Sequence, residues 1–212
     1  MKFTTINPAT EEIIAEYDVM QKDQVLNVAK KAHSAFQEWK KLDIPERADY
    51  FRKIAQVLRY NKDRYAKLMT LEMGKPIKQS LTEIEKCAWS SEIYSDNAEK
   101  WLEDEFVQLD GKKHFVAFEP LGCILSIMPW NFPFWQAFRF AIPTLLAGNV
   151  TILKHSNQVP QCALAIEEAF KECGFPENVF RTVITNHEAI KDLIESNLIQ
   201  GVSLTGSTSA GA

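Results

Sequence analysis

The segment from Gly122 to Asn131 reads Gly-Cys-Ile-Leu-Ser-Ile-Met-Pro-Trp-Asn, an apolar run that stops at a proline and leaves a tryptophan and a carboxamide just past its end. It falls well short of the roughly 20 residues of a membrane-spanning helix. Gly122 and Pro129 bound it, and from Phe134 to Leu146 apolar residues recur at helical rather than alternating spacing, so the pattern predicts a buried strand, a loop and a helix. Asn131 falls on the loop, at the carboxyl end of a strand, where open α/β sheets bind their ligands.

The alternation continues downstream. Strands are expected from Cys123 to Met128, Val150 to Leu153, Val179 to Ile184 and Gly201 to Leu204, with helices from Phe134 to Leu146, Pro160 to Cys173 and His187 to Glu195. This predicts an α/β fold: a Rossmann-type parallel sheet with right-handed crossovers and helices on both faces. Pro143 is expected to kink or split the first helix, and Gly148-Asn149 and Gly174 suit helix C-terminal ends. Only a few residues follow the last strand, so the sheet is expected to be truncated in mid-course.

Upstream, Phe3 to Val19 reads as a hairpin around Asn7-Pro8-Ala9-Thr10. Helical spacing then runs from Gln21 to Trp39, from Pro45 to Met73 and from Ile77 to Trp101, with Gly74 and Pro76 ending the second stretch. The charges of these helices fall opposite their apolar stripes and read as solvated surface. Phe106 to Glu119 reads as two strands joined at Asp110-Gly111. Nothing earlier supplies a sheet for this hairpin, which is expected to pair with another chain or a later segment.

A composition of 46% hydrophobic and 25% charged residues is that of a globular chain, and a net charge of -4 gives no basic footprint for nucleic acid or an anionic membrane. The N-terminus has no signal-peptide core, so a cytoplasmic protein is expected. Cys87, Cys123, Cys162 and Cys173 contain no Cys-x-x-Cys pair and the four histidines are equally dispersed, so neither a disulfide frame nor a structural metal site is expected. Cys123 and Cys162 sit in apolar elements, where burial makes a thiol inert.

The loops after the strands hold Pro129-Trp130-Asn131, Lys154-His155-Ser156-Asn157, Thr185-Asn186 and Thr205 to Gly211. These are polar donors and small residues on one rim, suited to phosphate and ribose. A lone lysine after a strand is more often plain surface; Lys154 gains weight from its neighbours. Gly206 to Gly211 is a Gly-x-x-x-x-Gly arrangement at a strand-to-helix junction, where backbone N–H groups favour phosphate. It lacks the common dinucleotide spacing, and Ala212 stands where a P-loop carries its lysine, so a nucleotide triphosphatase is disfavoured.

An ordered set of motifs resembles the aldehyde dehydrogenase superfamily over nearly the whole chain. The set comprises Asn7-Pro8-Ala9-Thr10, Glu72-Met73-Gly74-Lys75-Pro76, Pro120-Leu121-Gly122, Met128-Pro129-Trp130-Asn131-Phe132-Pro133, Ala147-Gly148-Asn149 and Thr205-Gly206-Ser207. The resemblance implies that Asn131 donates its amide to the oxyanion formed when a cysteine thiolate attacks an aldehyde. It implies that Met128, Pro129 and Trp130 line the cofactor cleft, that Lys154 and Ser156 meet the adenosine ribose or its phosphate, and that Gly206 and Ser207 serve the pyrophosphate. Asn157 stands where NAD-using relatives often carry a glutamate, which permits NADP without excluding NAD. Trp130 to Gln136 with Leu153-Lys154-His155 looks most like the succinate-semialdehyde branch, where an arginine at the spacing of Arg139 helps bind the substrate carboxylate; a helix-surface ion pair is the alternative role for Arg139.

The implied organisation is a helical part of the cofactor-binding domain with its leading hairpin (1–105), an oligomerisation-type hairpin (106–120) and an incomplete dinucleotide-binding region (121–212). The implied reaction is thiolate attack, hydride transfer to NAD(P) and thioester hydrolysis by a complete protein that forms a homo-oligomer and acts on a small aldehyde. The family's nucleophilic cysteine and general-base glutamate have no counterpart here, so the isolated chain is expected to be inactive. The rival expectation is a non-catalytic dinucleotide-binding or interaction module.

Overall fold

The computed structural model describes residues 1–109, 111 and 113–211; Asp110, half of the expected Asp110-Gly111 turn, and Ala212 lie outside the described residues. The chain opens with an antiparallel hairpin of β1 (Lys2–Ile6) and β2 (Ile13–Asp18). Four helices follow, α1 (Lys22–Trp39), α2 (Ile44–Tyr60), α3 (Lys62–Met73) and α4 (Ile77–Trp101). A second hairpin, β3 (Glu105–Val107) and β4 (His114–Val116), precedes β5 (Cys123–Met128), α5 (Pro133–Leu146) and β6 (Val150–His155). Then come α6 (Pro160–Glu172), β7 (Phe180–Thr182), α7 (His187–Glu195), β8 (Gly201–Leu204) and one helical turn, α8 (Thr208–Gly211).

Strands β5 to β8 form one parallel sheet in the order β7-β6-β5-β8. The chain steps one way from β5 through β6 to β7, then returns across the sheet to β8. Right-handed crossovers therefore put α5 and α6 on one face and α7 on the other. Helix α1 packs on α7 and on β5, β6 and β7, completing the second face, while α2, α3 and α4 form an outer layer over α5 and α6. Covered on both sides, β6 is buried at every residue. The edge strand β8 alternates between half-buried and exposed positions.

Four local expectations need correction. The stretch from Pro45 to Met73 is two helices, because the chain breaks at Asn61, whose Nδ2 reaches the Glu172 carboxylate at 3.1 Å. Both segments pack on α4 and reach α6. Helix α5 runs unsplit through Pro143, and its end is secured from outside: buried Arg47 donates Nε to the Leu146 carbonyl at 2.8 Å and Trp39 donates Nε1 to the Leu145 carbonyl at 3.0 Å. Strand β7 is shorter than the apolar run around it. Lys154 and His155 lie within β6, not in the loop after it.

Tight backbone approaches explain two glycines. Gly74 ends α3 at φ +76°, where a Cβ would meet Pro8 Cγ at 3.0 Å. Gly122 enters β5 at φ +138°, and a Cβ there would fall 2.4 Å from Gln200 Oε1, the atom that accepts the Cys123 N–H. The β3–β4 hairpin stands apart, with Phe106, Val107, Phe115 and Val116 all exposed.

The core is aromatic where α6 meets the sheet and the outer helices. Phe170 stacks on Phe180 with ring centroids 4.1 Å apart and on Phe138 at 5.4 Å, and meets Phe175 edge-on at 4.9 Å. Phe170→Ala removes the ring that joins the layers and is expected to cost about 3–5 kcal/mol. Urea unfolding checks this: the midpoint should fall with an unchanged slope, and a loss below about 1 kcal/mol would show that the neighbouring rings collapse into the space.

Candidate functional site

The strand order reverses between β5 and β8, so the carboxyl ends of these strands are the switch point of the sheet, where an open α/β sheet holds its ligand crevice. Hydrogen bonds join three loops along its rim. The Ile127 carbonyl accepts the Thr205 N–H at 3.0 Å, and the Met128 carbonyl accepts the Ser156 N–H at 2.9 Å. The ends of β5, β6 and β8 thus form one ledge. Met128 is buried beneath it, Pro129 is half-buried, and Trp130, Asn131 and Phe132 face outward on the short turn before α5. Asn131 therefore presents its carboxamide to solvent from a loop anchored at both ends.

Lys154 is 5% exposed, and its Nζ donates to the Asn157 Oδ1 at 3.0 Å. Among the described residues no carboxylate lies within ion-pair distance of it. Burial pushes its pKa below the ordinary lysine value. A buried ammonium that meets only a carboxamide is an incomplete electrostatic arrangement, which an anion at the rim would complete. Ser156, half-buried, accepts the Gln158 N–H through Oγ at 3.3 Å.

Across the crevice, Gly206 and Ser207 are exposed at the end of β8. Ser207 Oγ accepts the Ala210 N–H at 3.3 Å and lies 2.9 Å from Ser209 Oγ, so it caps the turn α8. Arg139, exposed on α5, reaches the Thr205 Oγ1 at 3.5 Å. No carboxylate among the described residues pairs with it, so the alternative role as a helix-surface ion pair is not seen there. Its guanidinium faces the β8 side of the crevice.

The model of the aldehyde dehydrogenase family matches residues 1–212. The chain belongs to the aldehyde dehydrogenase family. It is 46% identical over 212 residues to a probable NADP(+) succinate-semialdehyde dehydrogenase of Synechocystis sp., covering all of this chain and 47% of that protein. An NADP(+) succinate-semialdehyde dehydrogenase of Mycobacterium tuberculosis is 38% identical over 214 residues, again covering 100% of this chain and 47% of the relative. The crystal structure of the Streptococcus pyogenes succinic semialdehyde dehydrogenase with NADP+ superposes with a TM-score of 0.95 at 30% identity, over 99% of this chain and 46% of the other. The chain thus spans about half the length of the curated relatives it matches.

Within this aldehyde dehydrogenase chain, the residues that shape the rim include several that sequence patterns missed. Glu72 and Glu83 sit on helices whose charges read as solvated, yet each is 4% exposed. Glu72 accepts the N–H groups of Gln161 and Cys162 at 2.8 and 2.9 Å, and Glu83 Oε1 accepts those of Phe134 and Trp135, both at 2.9 Å. Each carboxylate closes the N-terminus of a helix that leaves the rim. The one signal in the sequence is that Glu72 and Lys75 belong to the Glu72-Met73-Gly74-Lys75-Pro76 motif shared with the family. The four cysteines are buried, and desolvation raises every thiol, Cys123 and Cys173 to about 12.

His155 is buried under the ledge: its Nδ1 accepts the Ser156 N–H at 2.9 Å, leaving Nε2 to donate to the Pro133 carbonyl at 2.9 Å. Burial lowers its pKa from 6.5 to about 4, so the ring is neutral when folded. Between those values the unfolded chain binds the proton that the folded chain refuses, and stability falls as pH drops. The full loss is on the order of 3 kcal/mol. His155→Gln should flatten the stability profile between pH 6.5 and 4 in denaturant titrations; an unchanged slope would show that His155 accepts the proton when folded.

Proposed function

We propose that this chain forms the cofactor cleft and oxyanion donor of an NADP-dependent enzyme that oxidises succinate semialdehyde to succinate. The observation that carries this reading is the placement on one rim of the exposed residue Asn131 and the buried ammonium of Lys154, which meets no carboxylate among the described residues. Identity along the whole chain with NADP(+) succinate-semialdehyde dehydrogenases supports it.

The residues fit the cofactor. Among the described residues no carboxylate pairs with Lys154, and position 157 is a neutral asparagine whose carbonyl already points at the ammonium, so a 2′-phosphate meets attraction there. Met128, Pro129 and Trp130 would line the cleft, Ser156 and Asn157 would meet the ribose, and Gly206 and Ser207 the pyrophosphate. Bound there, the nicotinamide supplies a hydride acceptor. Asn131 donates an N–H to the oxygen that gains charge when a thiolate attacks the aldehyde, a contribution of about 3 kcal/mol to barrier lowering. We assign the nucleophilic thiol and general base to sequence outside this chain, because all four thiols here are buried and protonated. The isolated chain is inactive in this reading. The complete enzyme is a cytoplasmic homo-oligomer that uses the exposed β3–β4 hairpin for assembly.

Asn157→Glu in the full-length enzyme should raise the KM for NADP at least about tenfold while changing that for NAD little, since a carboxylate beside the phosphate repels it and competes for Lys154. Affinity for NADP in the unmodified enzyme should also weaken at alkaline pH below the ordinary lysine range, where a depressed Lys154 loses its charge. Steady-state kinetics with both cofactors across pH checks both; a strong preference for NAD would overturn the cofactor assignment.

Arg139 stands two helical turns beyond Asn131 on the same rim and is the cation that pairs with the distal carboxylate of the substrate. Arg139→Ala should raise the KM for succinate semialdehyde about 10- to 100-fold, the range of a lost charge-assisted pair, and leave an uncharged aldehyde of similar length little affected. Equal losses on both substrates would make Arg139 structural.

A further inference from the structure

The loop that carries Asn131 is held from a direction the reaction does not explain. Glu83 projects from α4 into the junction with α5 and takes the Phe134 and Trp135 N–H groups on a single carboxylate oxygen, each at 2.9 Å. Its other oxygen forms an ion pair with Lys75, and both side chains are nearly inaccessible, at 6% for Lys75 and 4% for Glu83. The same ammonium lies 3.8 Å from the centre of the Phe132 ring. The three residues pinned in this way, Phe132, Phe134 and Trp135, begin at the residue directly after Asn131. On its other side the loop leaves β5 through Met128, whose carbonyl is bonded to Ser156.

We propose that Lys75 and Glu83 are a positioning pair that sets the direction of the Asn131 carboxamide. The inference rests on the reading of Asn131 as oxyanion donor. An ion pair this buried is a poor source of net stability, because desolvating both charges offsets their attraction. It is a good source of geometry. The carboxylate fixes where α5 begins, the ammonium fixes the ring that follows Asn131, and each holds the other in place. An oxyanion donor works only when preorganised toward the developing charge, so a small displacement of this loop is felt at the barrier before it is felt in cofactor binding.

The test is a double-mutant cycle in the full-length enzyme that carries this chain. Glu83→Asp keeps the charge opposite Lys75 but draws the acceptor back by one methylene. It should lower kcat about 10- to 30-fold with the KM for NADP within about twofold, while Asn131→Ala lowers kcat at least about 100-fold. Combined, the two should be no worse than Asn131→Ala alone by more than about twofold, since a residue acting through Asn131 has nothing left to position. If Glu83→Asp proves too unstable to assay, Lys75→Met with Glu83→Gln removes both charges together and runs the same cycle, with the same lack of additivity expected.

Additive losses, or an unchanged kcat in Glu83→Asp, would overturn the positioning role while leaving the oxyanion assignment intact. Full activity in Asn131→Ala would overturn that assignment itself, and the positioning pair with it.

Discussion

Helix α5 is held at each end by a buried charge of the sign its dipole favours. Glu83 accepts two N–H groups at its N-terminus, and Arg47, with Trp39 beside it, donates to carbonyls at its C-terminus. None of these three residues lies in the alternating strands and helices from β5 onward. They come from α1, α2 and α4, so the helical half of the chain fixes the axis and start of the element that follows the site loop. Hydrogen bonds to an ionised partner are each worth about 1.5–3 kcal/mol. The larger consequence is directional, because a helix tied at both ends cannot slide along the sheet, and the loop before it inherits a fixed position.

Glu72 repeats the device one crossover later, on α6, at the end of the β6 loop. The motif from Glu72 to Pro76 therefore serves two of the helices that leave the rim, α6 through Glu72 directly and α5 through the pair of Lys75 with Glu83. Gly74, in left-handed backbone between them, lets the chain turn so that the two side chains reach different helix ends. Desolvation opposes this arrangement and raises the Glu72 pKa despite its backbone donors. Buried carboxylates persist where hydrogen bonds satisfy them, and helix N-termini are ready sources of unpaired N–H groups.

Much of the site was legible because its parts are local. Asn131 follows a strand, lies on a loop and precedes a helix, and each of those facts follows from spacing along a dozen residues. Lys154 was legible as a candidate but misplaced: a strand read to Leu153 continues through His155, and that difference changes an exposed loop lysine into a buried ammonium. Periodicity underestimates such a strand because its last residues are polar, and only cover on both faces, by α5 and α6 on one and α1 on the other, makes them interior. The helical break at Asn61 escaped for a related reason, since both sides of it carry good helical spacing and the change of direction is set by what each helix packs against.

By itself, the sequence determined the alternation of strand and helix from β5 to β8, the small polar residues after those strands, the inert thiols and the motif order shared with the aldehyde dehydrogenase family. These depend on neighbours along the chain, and hydrophobic spacing reports them directly. Tertiary structure alone decided that the order reverses between β5 and β8, that Arg139 faces the end of β8, and that Glu72, Lys75, Glu83 and Arg47 are buried partners rather than solvated charges. An amphipathic pattern shows which face of a helix is apolar. It is silent on which charge of the opposite face will meet the end of another helix, because that depends on how the layers stack.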